Sequence, residues 1–342
     1  MKVPLGLSVS GSSPDGSPLV CRLRKSLYGL KHASRQWFAK LSTALLSKGY
    51  QSSLNDYSLF TKISATSTVI LAVYVDDILL AGDDTEEMGS LKPFLDAQFK
   101  IKDLGNVHYF LGLEVSSVAE GYIVKQHKFA KELLDEFNCS DCTHVVTPLD
   151  LNYKLTPISR EMPPDPSLSR RLVGKLNFLQ HTRLDLSFFV QHLSQFLNAL
   201  RYPHMHVALH VLRYLHNDPT KGILFNIFVD FSLTTYSDSD WATCYSSRKS
   251  VTGFFVTLGG SPVCWKSKKL PTVSQSSAEA EYRVLWKTVA KLTWLVRLLG
   301  DLGVYVSQPV PIYYDNQAAL CIAKNLVEHE RTKHIEFDCH FC

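Results

Sequence analysis

An apolar run at residues 69–82, VILAVYVDDILLAG, carries two adjacent aspartates, Asp76 and Asp77, at its centre. A membrane-spanning helix needs ~20 apolar residues and an ordinary strand uses ~5–6 residues, so the run fits neither. A hairpin fits: VILAVYV forms one strand, Asp76–Asp77 form the turn, and ILLAG forms the returning strand. The run therefore predicts antiparallel strand pairing in this part of the chain.

The two aspartates have two interpretations at this point. Aspartate is a favoured turn residue, so Asp76 and Asp77 fit a plain hairpin tip. Adjacent carboxylates on a rigid turn also suit Mg²⁺, a hard cation that prefers oxygen ligands and assists phosphoryl transfer in two-metal sites. The segment alone leaves both interpretations open.

Hydrophobic periodicity around this run predicts alternating helices and short strands. The predicted helices are 33–50, 85–99 and 125–137, and the predicted strands are 57–62, 67–75 and 107–115. This order favours an α+β fold with antiparallel hairpins over a doubly wound sheet. A proline-rich stretch at 146–166 is typical of a linker, and helical segments follow to about residue 216.

The last third predicts a βββαβ order. Strands at 231–241, 250–260 and 261–269 precede a long helix, which a Ser276–Glu279 capping box begins and Gly300 closes. A final strand at 309–314 leads into Asp315.

Acidic residues recur near the ends of the predicted strands and helix of this last unit. Asp238 and Asp240 lie on its first strand, whereas Glu281 falls on the apolar helix stripe that includes Leu285, and Glu279 lies off that stripe. Asp315 by itself also fits a cap for the following helix. Together, Asp238, Glu281 and Asp315 favour a metal-binding cluster.

Cysteine and histidine pairs are interpreted as non-metal residues. The CxxC pairs Cys139–Cys142 and Cys339–Cys342 lie much farther apart in sequence than the ~15–20 residues usual for zinc pairs, which favours free thiols. His206 and His210 have the i,i+4 spacing of a metal-binding helix, but Val207 stands where a metalloprotease needs glutamate. They are predicted as helix-surface histidines.

Basic clusters near aromatic residues suit a nucleic-acid backbone, although each also fits a solvated face. The candidate nucleic-acid-binding residues are Arg22, Arg24, Lys25, Lys31, Arg35, Lys266, Lys268 and Lys269. The net charge of +4 permits a polyanionic partner without requiring one. Because no secretion signal or membrane-spanning segment is evident, we expect a cytoplasmic or nuclear protein without membrane partners.

Ten motifs in sequence order resemble the reverse transcriptase–ribonuclease H region of copia-type LTR retrotransposon polyproteins. The motifs include SLYGLKHASRQWF, YVDDILLAG, VHYFLGLEV, VLRYLHNDPTKG, YSDSDW, SQSSAEAEY, YYDNQAAL and HERTKHIEFDCHF. They cover nearly the whole chain.

The resemblance implies a partial reverse transcriptase palm at 1–145, a linker and helical thumb or connection at 146–224, and a ribonuclease H-like mixed α/β domain at 225–342. Asp76 and Asp77 match the palm's metal-binding aspartates. The motif YSD selects Asp238 over Asp240, AEY supports Glu281, and YYD supports Asp315. The implied cofactor is Mg²⁺, with no small-molecule cofactor beyond nucleotides and metal, and the implied partners are an RNA template and an RNA–DNA hybrid.

Departures from the family pattern predict impaired catalysis. The opening MKVPLGL matches an internal family segment that lies after the strand carrying a third palm aspartate, so we expect no polymerase activity. The family's fourth ribonuclease H acid lies beyond HFC, and Glu336 and Asp338 are not expected to replace it. The leading expectation is a catalytically impaired fragment; the alternatives are residual Mg²⁺-dependent ribonuclease H activity and a non-catalytic nucleic-acid-binding protein.

Overall fold

The computed structural model describes residues 3, 6–7, 17–22, 29–30, 32–149, 155, 165–227 and 230–324, with backbone alone at 322–324. Backbone contacts divide the chain into two compact units, Met1–Ile101 and Lys102–Cys342. Within the described ranges, no helix combines the length and the apolar character that a membrane crossing requires.

The first unit packs one antiparallel sheet against two helices. Its elements are α1 Ala33–Ser47, β1 Gln51–Ser52, β2 Leu59–Ile63, β3 Thr68–Tyr74, β4 Asp77–Gly82 and α2 Thr85–Phe99. Strand order in the sheet is β1-β2-β3-β4. The predicted helix at 85–99 is confirmed at both ends, and its start is fixed because the Asp84 side chain accepts the Glu87 N–H at 2.9 Å.

The predicted hairpin is confirmed, with its turn one residue earlier than expected. Tyr74 pairs with Asp77, so Val75 and Asp76 form the turn and Asp77 begins β4. Val75 has a φ of +53°, a left-handed conformation that is unusual for a β-branched residue. The one-residue shift was not predictable from residue type, because valine normally favours extended backbone.

Alternation along β3 explains how the apolar run is buried. Val69, Leu71 and Val73 are buried and contribute to the core with Leu41 of α1 and Leu91 of α2. The intervening residues are partly exposed, as expected for a sheet with one packed face.

The second unit begins with a sheet and a group of helices. Its first elements are β5 Tyr109–Phe110, β6 Leu113–Val118, β7 Gly121–Lys125, α3 His127–Glu136, α4 Pro166–Leu179, α5 Ser187–Ser194, α6 Tyr202–Asn217 and β8 Gly222–Asn226. All pairings in the sheet β5-β6-β7-β8 are antiparallel. The strand predicted at 107–115 is wrong, because a two-residue turn at Leu111–Gly112 divides it into β5 and β6.

Gly112 is required by its surroundings at this turn. Its φ is +82°, and a Cβ atom built there would lie 2.6 Å from Cζ of Phe178 on α4. The turn therefore needs a residue without a side chain in order to pack on the helix.

The helices α3, α4, α5 and α6 share an apolar core in which His204 is fully buried. The Arg201 N–H donates to His204 Nδ1 at 2.8 Å, and the His204 ring stacks on Phe196 with centroids 4.3 Å apart. Burial, followed by the neighbouring His192, lowers the pKa of His204 to about 4. The folded protein therefore favours the neutral imidazole.

The remaining elements form a second sheet of this unit, flanked by a long helix. They are β9 Leu233–Asp240, β10 Val251–Leu258, β11 Ser261–Lys269, α7 Ser277–Asp301, β12 Ile312–Tyr313 and α8 Gln317–Lys324. The sheet order is β11-β10-β9-β12, with β12 parallel to β9 and the other pairs antiparallel. The predicted βββαβ order is confirmed.

The end of α7 differs from the prediction. Gly300 does not close the helix, which continues to Asp301; Gly303 follows with a φ of +79°. The Val304 N–H donates to Leu299 O at 2.8 Å, which satisfies one of the carbonyls left open at the helix end.

The proposed boundaries at 145/146 and 224/225 stay predictions. Most of the proline-rich stretch at 146–166 lies outside the described residues.

Candidate metal centre

Three predicted acidic residues converge at one edge of the sheet β11-β10-β9-β12. One carboxylate oxygen each from Asp238, Glu281 and Asp315 lies within 4.8 Å of the other two. Among the described residues, this is the one group of three or more potential His, Cys, Asp or Glu ligands with such spacing.

Parallel pairing brings Asp238 and Asp315 to the same edge. Ile312 and Tyr313 of β12 pair with Thr235 and Tyr236 of β9. Asp238 and Asp315 each follow two residues after the Tyr236–Tyr313 pair, and both are exposed. Because the two strands run parallel, residues at equal distances after a paired position lie side by side. Asp238 and Asp315 are therefore expected to be close together.

The helix α7 supplies the third carboxylate. The Ser276 side chain accepts the Glu279 N–H at 3.1 Å and thereby caps the start of α7. Glu281, one half-turn later, is only 5% exposed. Its Oε1 accepts the Ser239 N–H at 3.1 Å, whereas its Oε2 is buried without a hydrogen-bond partner.

Glu279 is buried too, although it is offset by two residues from Glu281 along α7. Its carboxylate accepts the Gln275 N–H at 2.7 Å and pairs with Arg283 at 2.7 Å. Glu279 therefore has partners within its own segment, whereas Glu281 has one buried oxygen without a donor. The i,i+4 spacing of Glu279 and Arg283 is the sequence signal that could have indicated this ion pair.

The electrostatics of the cluster favour a positive ion. Burial, followed by the Asp238 carboxylate, raises the pKa of Glu281 to about 7, with smaller contributions from Asp315 and Asp240. The Ser239 N–H opposes this rise. Burial and Asp238 also raise the pKa of Asp240, which does not belong to the three-carboxylate group. A cation would relieve this repulsion between like charges.

The backbone N–H of Ser239 was missed by sequence reasoning. It fixes one oxygen of Glu281, but a backbone donor leaves no residue-type signal in a sequence. Only the tertiary packing of α7 on β9 reveals it.

Asp76 and Asp77 have a different setting. Both are exposed at the tip of the β3–β4 hairpin. Neither joins a group of three potential metal ligands within the residues that the structure describes.

The predicted basic clusters are only partly described. Arg22 and Arg35 are exposed, while Arg24, Lys25 and Lys31 lie outside the described residues. On β11, Lys266 and Lys268 are exposed on the same face. Alternation places Lys269 on the other face, where its Nζ lies 3.6 Å from Cys244 Sγ. The three lysines therefore do not form one patch.

The chain has clear similarities to known proteins. Residues 1–151 match the family described as reverse transcriptase (RNA-dependent DNA polymerase). The retrovirus-related Pol polyprotein from transposon RE2 of Arabidopsis thaliana is 41% identical over 96% of this chain and 22% of its own length. The corresponding polyprotein from transposon TNT 1-94 of Nicotiana tabacum is 34% identical over 100% of this chain and 26% of its own length.

A shorter relative is matched over most of its length. The putative transposon Ty5-1 protein YCL074W of Saccharomyces cerevisiae is 31% identical over 85% of this chain and 94% of its own length. The chain thus spans about a fifth to a quarter of the two plant polyproteins and nearly all of the yeast protein. It belongs to the reverse transcriptase family of copia-type retrotransposon Pol polyproteins.

Proposed function

We propose that the second unit hydrolyses the RNA strand of an RNA–DNA hybrid in a Mg²⁺-dependent, ribonuclease H-type reaction. The observation that carries this proposal is the convergence of Asp238, Glu281 and Asp315, with Glu281 Oε2 buried and without a donor. Metal-assisted phosphodiester hydrolysis uses carboxylates of this kind to hold the cation, and the cation is needed because the reacting phosphate is itself an anion.

The residues present fit Mg²⁺. All three side chains offer oxygen ligands, which this hard cation prefers over nitrogen and sulfur. Glu281 Oε2 has no hydrogen-bond donor, and burial with neighbouring carboxylates raises the pKa of Glu281. Both features are expected of a cation site whose carboxylates lie close together. When bound there, Mg²⁺ supplies charge neutralisation at phosphate oxygens and an activated water.

The protein's own residues perform the positioning. Ser239 N–H holds Glu281 Oε1, so the Glu281 carboxylate forms the buried side of the site with a fixed orientation. Asp238 and Asp315 form the exposed side, where a phosphate backbone has access. Asp238 lies within β9 and Asp315 lies two residues after β12, which limits the reorganisation needed at reaction.

The strand order supports the ribonuclease H-like interpretation of residues 225–342. The order of three antiparallel strands, a long helix and a fourth strand matches the expectation from the sequence, and the structure adds that the fourth strand is parallel to the first. The basic residues Lys266 and Lys268, both exposed, are candidate contacts for the hybrid's phosphates.

For the first unit we propose that nucleotide polymerisation is impaired. Asp76 and Asp77 are the family's candidate Mg²⁺ ligands, yet the described residues add no third ligand to this pair. A two-metal site with two carboxylates has weakened ion affinity and poorly defined geometry. The first unit then contributes contacts with the nucleic-acid template, with Arg22 and Arg35 among the exposed candidates.

The test uses the purified full chain with a labelled RNA–DNA hybrid and Mg²⁺. We expect the wild type to cut the RNA strand, Asp238→Asn to lose cleavage, and the matched Asp240→Asn variant to retain it. Asp240 lies on the same strand, two residues away, outside the three-carboxylate group.

Two results would contradict the proposal. Equal loss of cleavage in both variants would mean that the local negative charge matters and the three-residue geometry does not. Hybrid binding by the wild type with steep salt dependence and no cleavage would favour a non-catalytic nucleic-acid-binding protein.

A further inference from the structure

We propose that Cys139, Cys142, His206 and His210 form a second metal site, for a borderline-soft divalent ion of the zinc class. The four residues line one cavity of about 330 Å³ in the second unit, together with Leu209 and Arg213. Each pair alone was predicted not to bind metal, since the cysteines lacked a second CxxC nearby and the histidines lacked a glutamate. The fold instead places both pairs along the wall of the same cavity.

The cysteines lie on the turn that follows α3. The Cys139 N–H donates to Leu134 O at 2.8 Å, and the Cys142 N–H donates to Cys139 O at 3.4 Å. The Cys139 thiol donates to Phe137 O and the Cys142 thiol donates to Asn138 O, each at 3.5 Å. Cys139 is buried and Cys142 is half-buried.

The histidines lie one turn apart on the same face of α6. His210 Nε2 lies 2.9 Å from Thr147 O. A carbonyl oxygen only accepts, so Nε2 carries the proton and Nδ1 keeps its lone pair. Metal-binding histidines commonly donate their second ring N–H to a carbonyl in this way, which fixes the tautomer.

The segment between the two pairs is already held along α6. The Arg213 Nε donates to Thr143 O at 2.8 Å, and the Val145 N–H donates to Arg213 O at 3.4 Å. With the His210–Thr147 contact, these bonds fix the cysteine turn beside the histidine face.

The charge of the cavity suits a divalent ion. Two thiolates and two neutral imidazoles neutralise a 2+ cation, so Arg213 would face no net positive charge. Sulfur and imidazole nitrogen are the ligands that zinc prefers, and four such ligands complete its usual tetrahedral set.

The four ligand atoms do not yet surround a common point. Within the described ranges, only the carboxylate group has three ligand atoms within 4.8 Å of one another. Metal binding therefore requires side-chain rotation into the cavity, mainly by the exposed His206 and the half-buried Cys142.

Co²⁺ is a suitable probe because cobalt–thiolate bonds give a charge-transfer absorption that carboxylate sites lack. We expect the reduced full chain to bind one Co²⁺ with this absorption and to release it when Zn²⁺ is added. Cys142→Ser and His206→Asn should each weaken Co²⁺ binding by ~10-fold or more. The matched controls Cys321→Ser and the double variant Cys339→Ser/Cys342→Ser should bind as the wild type does.

Thermal unfolding gives a second readout. Added Zn²⁺ should raise the Tm of the wild type and of both controls by more than it raises the Tm of Cys142→Ser, in which, among the described residues, the carboxylate group alone remains to bind the ion. The proposal is overturned if the reduced wild type shows no thiolate–cobalt absorption. It is also overturned if the absorption depends on Cys339 and Cys342, or if it survives in a His206→Asn/His210→Asn variant.

Discussion

The two acidic sites of this chain consist of the same kind of side chain, carboxylates, but differ in burial and in how the residues are brought together. Asp76 and Asp77 are neighbours in sequence, exposed on one hairpin, whereas Asp238, Glu281 and Asp315 come from three elements and include one buried carboxylate. Sequence adjacency gave the first pair its strong signal. Only tertiary structure gives the second group its short distances, its orphaned oxygen and its mutual repulsion.

This difference shows what each site needs in order to bind a cation. Exposed carboxylates on a turn are stabilised by water and gain little from an ion. A buried carboxylate beside two others is destabilised until a positive charge arrives.

The rate of RNA–DNA hybrid cleavage should differ most between variants of the two sites. Glu281→Gln keeps the hydrogen-bond acceptor for Ser239 but removes a charge, so we expect a loss of about 100- to 1,000-fold in cleavage rate. Asp76→Asn should leave the rate within about twofold, because Asp76 belongs to another site. A comparable loss in both variants would show that the two sites do not act independently.

Acid should destabilise the helices of the second unit through His204. Its folded pKa of about 4 lies below the ordinary value of 6.5, so the unfolded chain takes up a proton first as pH falls. The free energy of unfolding should therefore drop by up to about 3 kcal/mol between pH 6.5 and pH 4. Denaturant titrations across this range provide the measurement.

His204→Asn should flatten this pH dependence, and His206→Asn on the same helix should not. Hydrogen exchange in peptides covering α6 would localise the effect. An unchanged slope in His204→Asn would exclude this histidine as its source.

Glu281→Gln should stabilise the second unit at neutral to alkaline pH when no divalent ion is present. The variant removes a buried negative charge beside Asp238 and Asp315 while keeping the Ser239 hydrogen bond. We expect the free energy of unfolding to rise by about 1–2 kcal/mol. Asp77→Asn, at the exposed hairpin, should change it by less than about 0.5 kcal/mol.

Mg²⁺ should reverse this difference, because it stabilises the wild-type carboxylates and has less to bind in Glu281→Gln. A Glu281→Gln protein less stable than the wild type without Mg²⁺ would contradict the repulsion argument.

The hairpin of the first unit should gain stability when its strained turn is relieved. Val75 has a φ of +53° and is exposed, so Val75→Gly should stabilise the hairpin by about 0.5–1 kcal/mol, net of the entropy that glycine adds to the unfolded chain. The matched Val73→Gly, at a buried extended position, should destabilise it by about 2 kcal/mol or more. Hydrogen exchange of the segment 68–82 distinguishes the two, and destabilisation by Val75→Gly would refute the strain argument.

Much of the fold was predictable because local signals were strong. Asp84 fixes the start of α2, and the alternation along 69–82 fixes a hairpin. The misses have physical causes: an apolar run at 107–115 hid the Leu111–Gly112 turn, and Val75 took a conformation that its residue type disfavours.

The candidate sites divide in the same way. Helical periodicity correctly placed Glu281 towards the sheet, because Leu285 one turn later is buried on the same face. It could not show that Arg283 stabilises a buried Glu279, nor that Ser239 N–H orients Glu281. The convergence of Cys139 and Cys142 with His206 and His210 depends on how α3 and α6 pack, which no local pattern encodes.

The sheet β5-β6-β7-β8 also affects the order in which the chain can fold. Its last strand, β8, pairs with β7 only after the whole segment from α3 to α6 has been synthesised. Until then β7 presents a row of unpaired backbone N–H and C=O groups, to which strands of other chains can add. While the segment between Lys125 and Gly222 is being translated, this edge is therefore open to aggregation, and helix assembly must outpace strand addition by other chains.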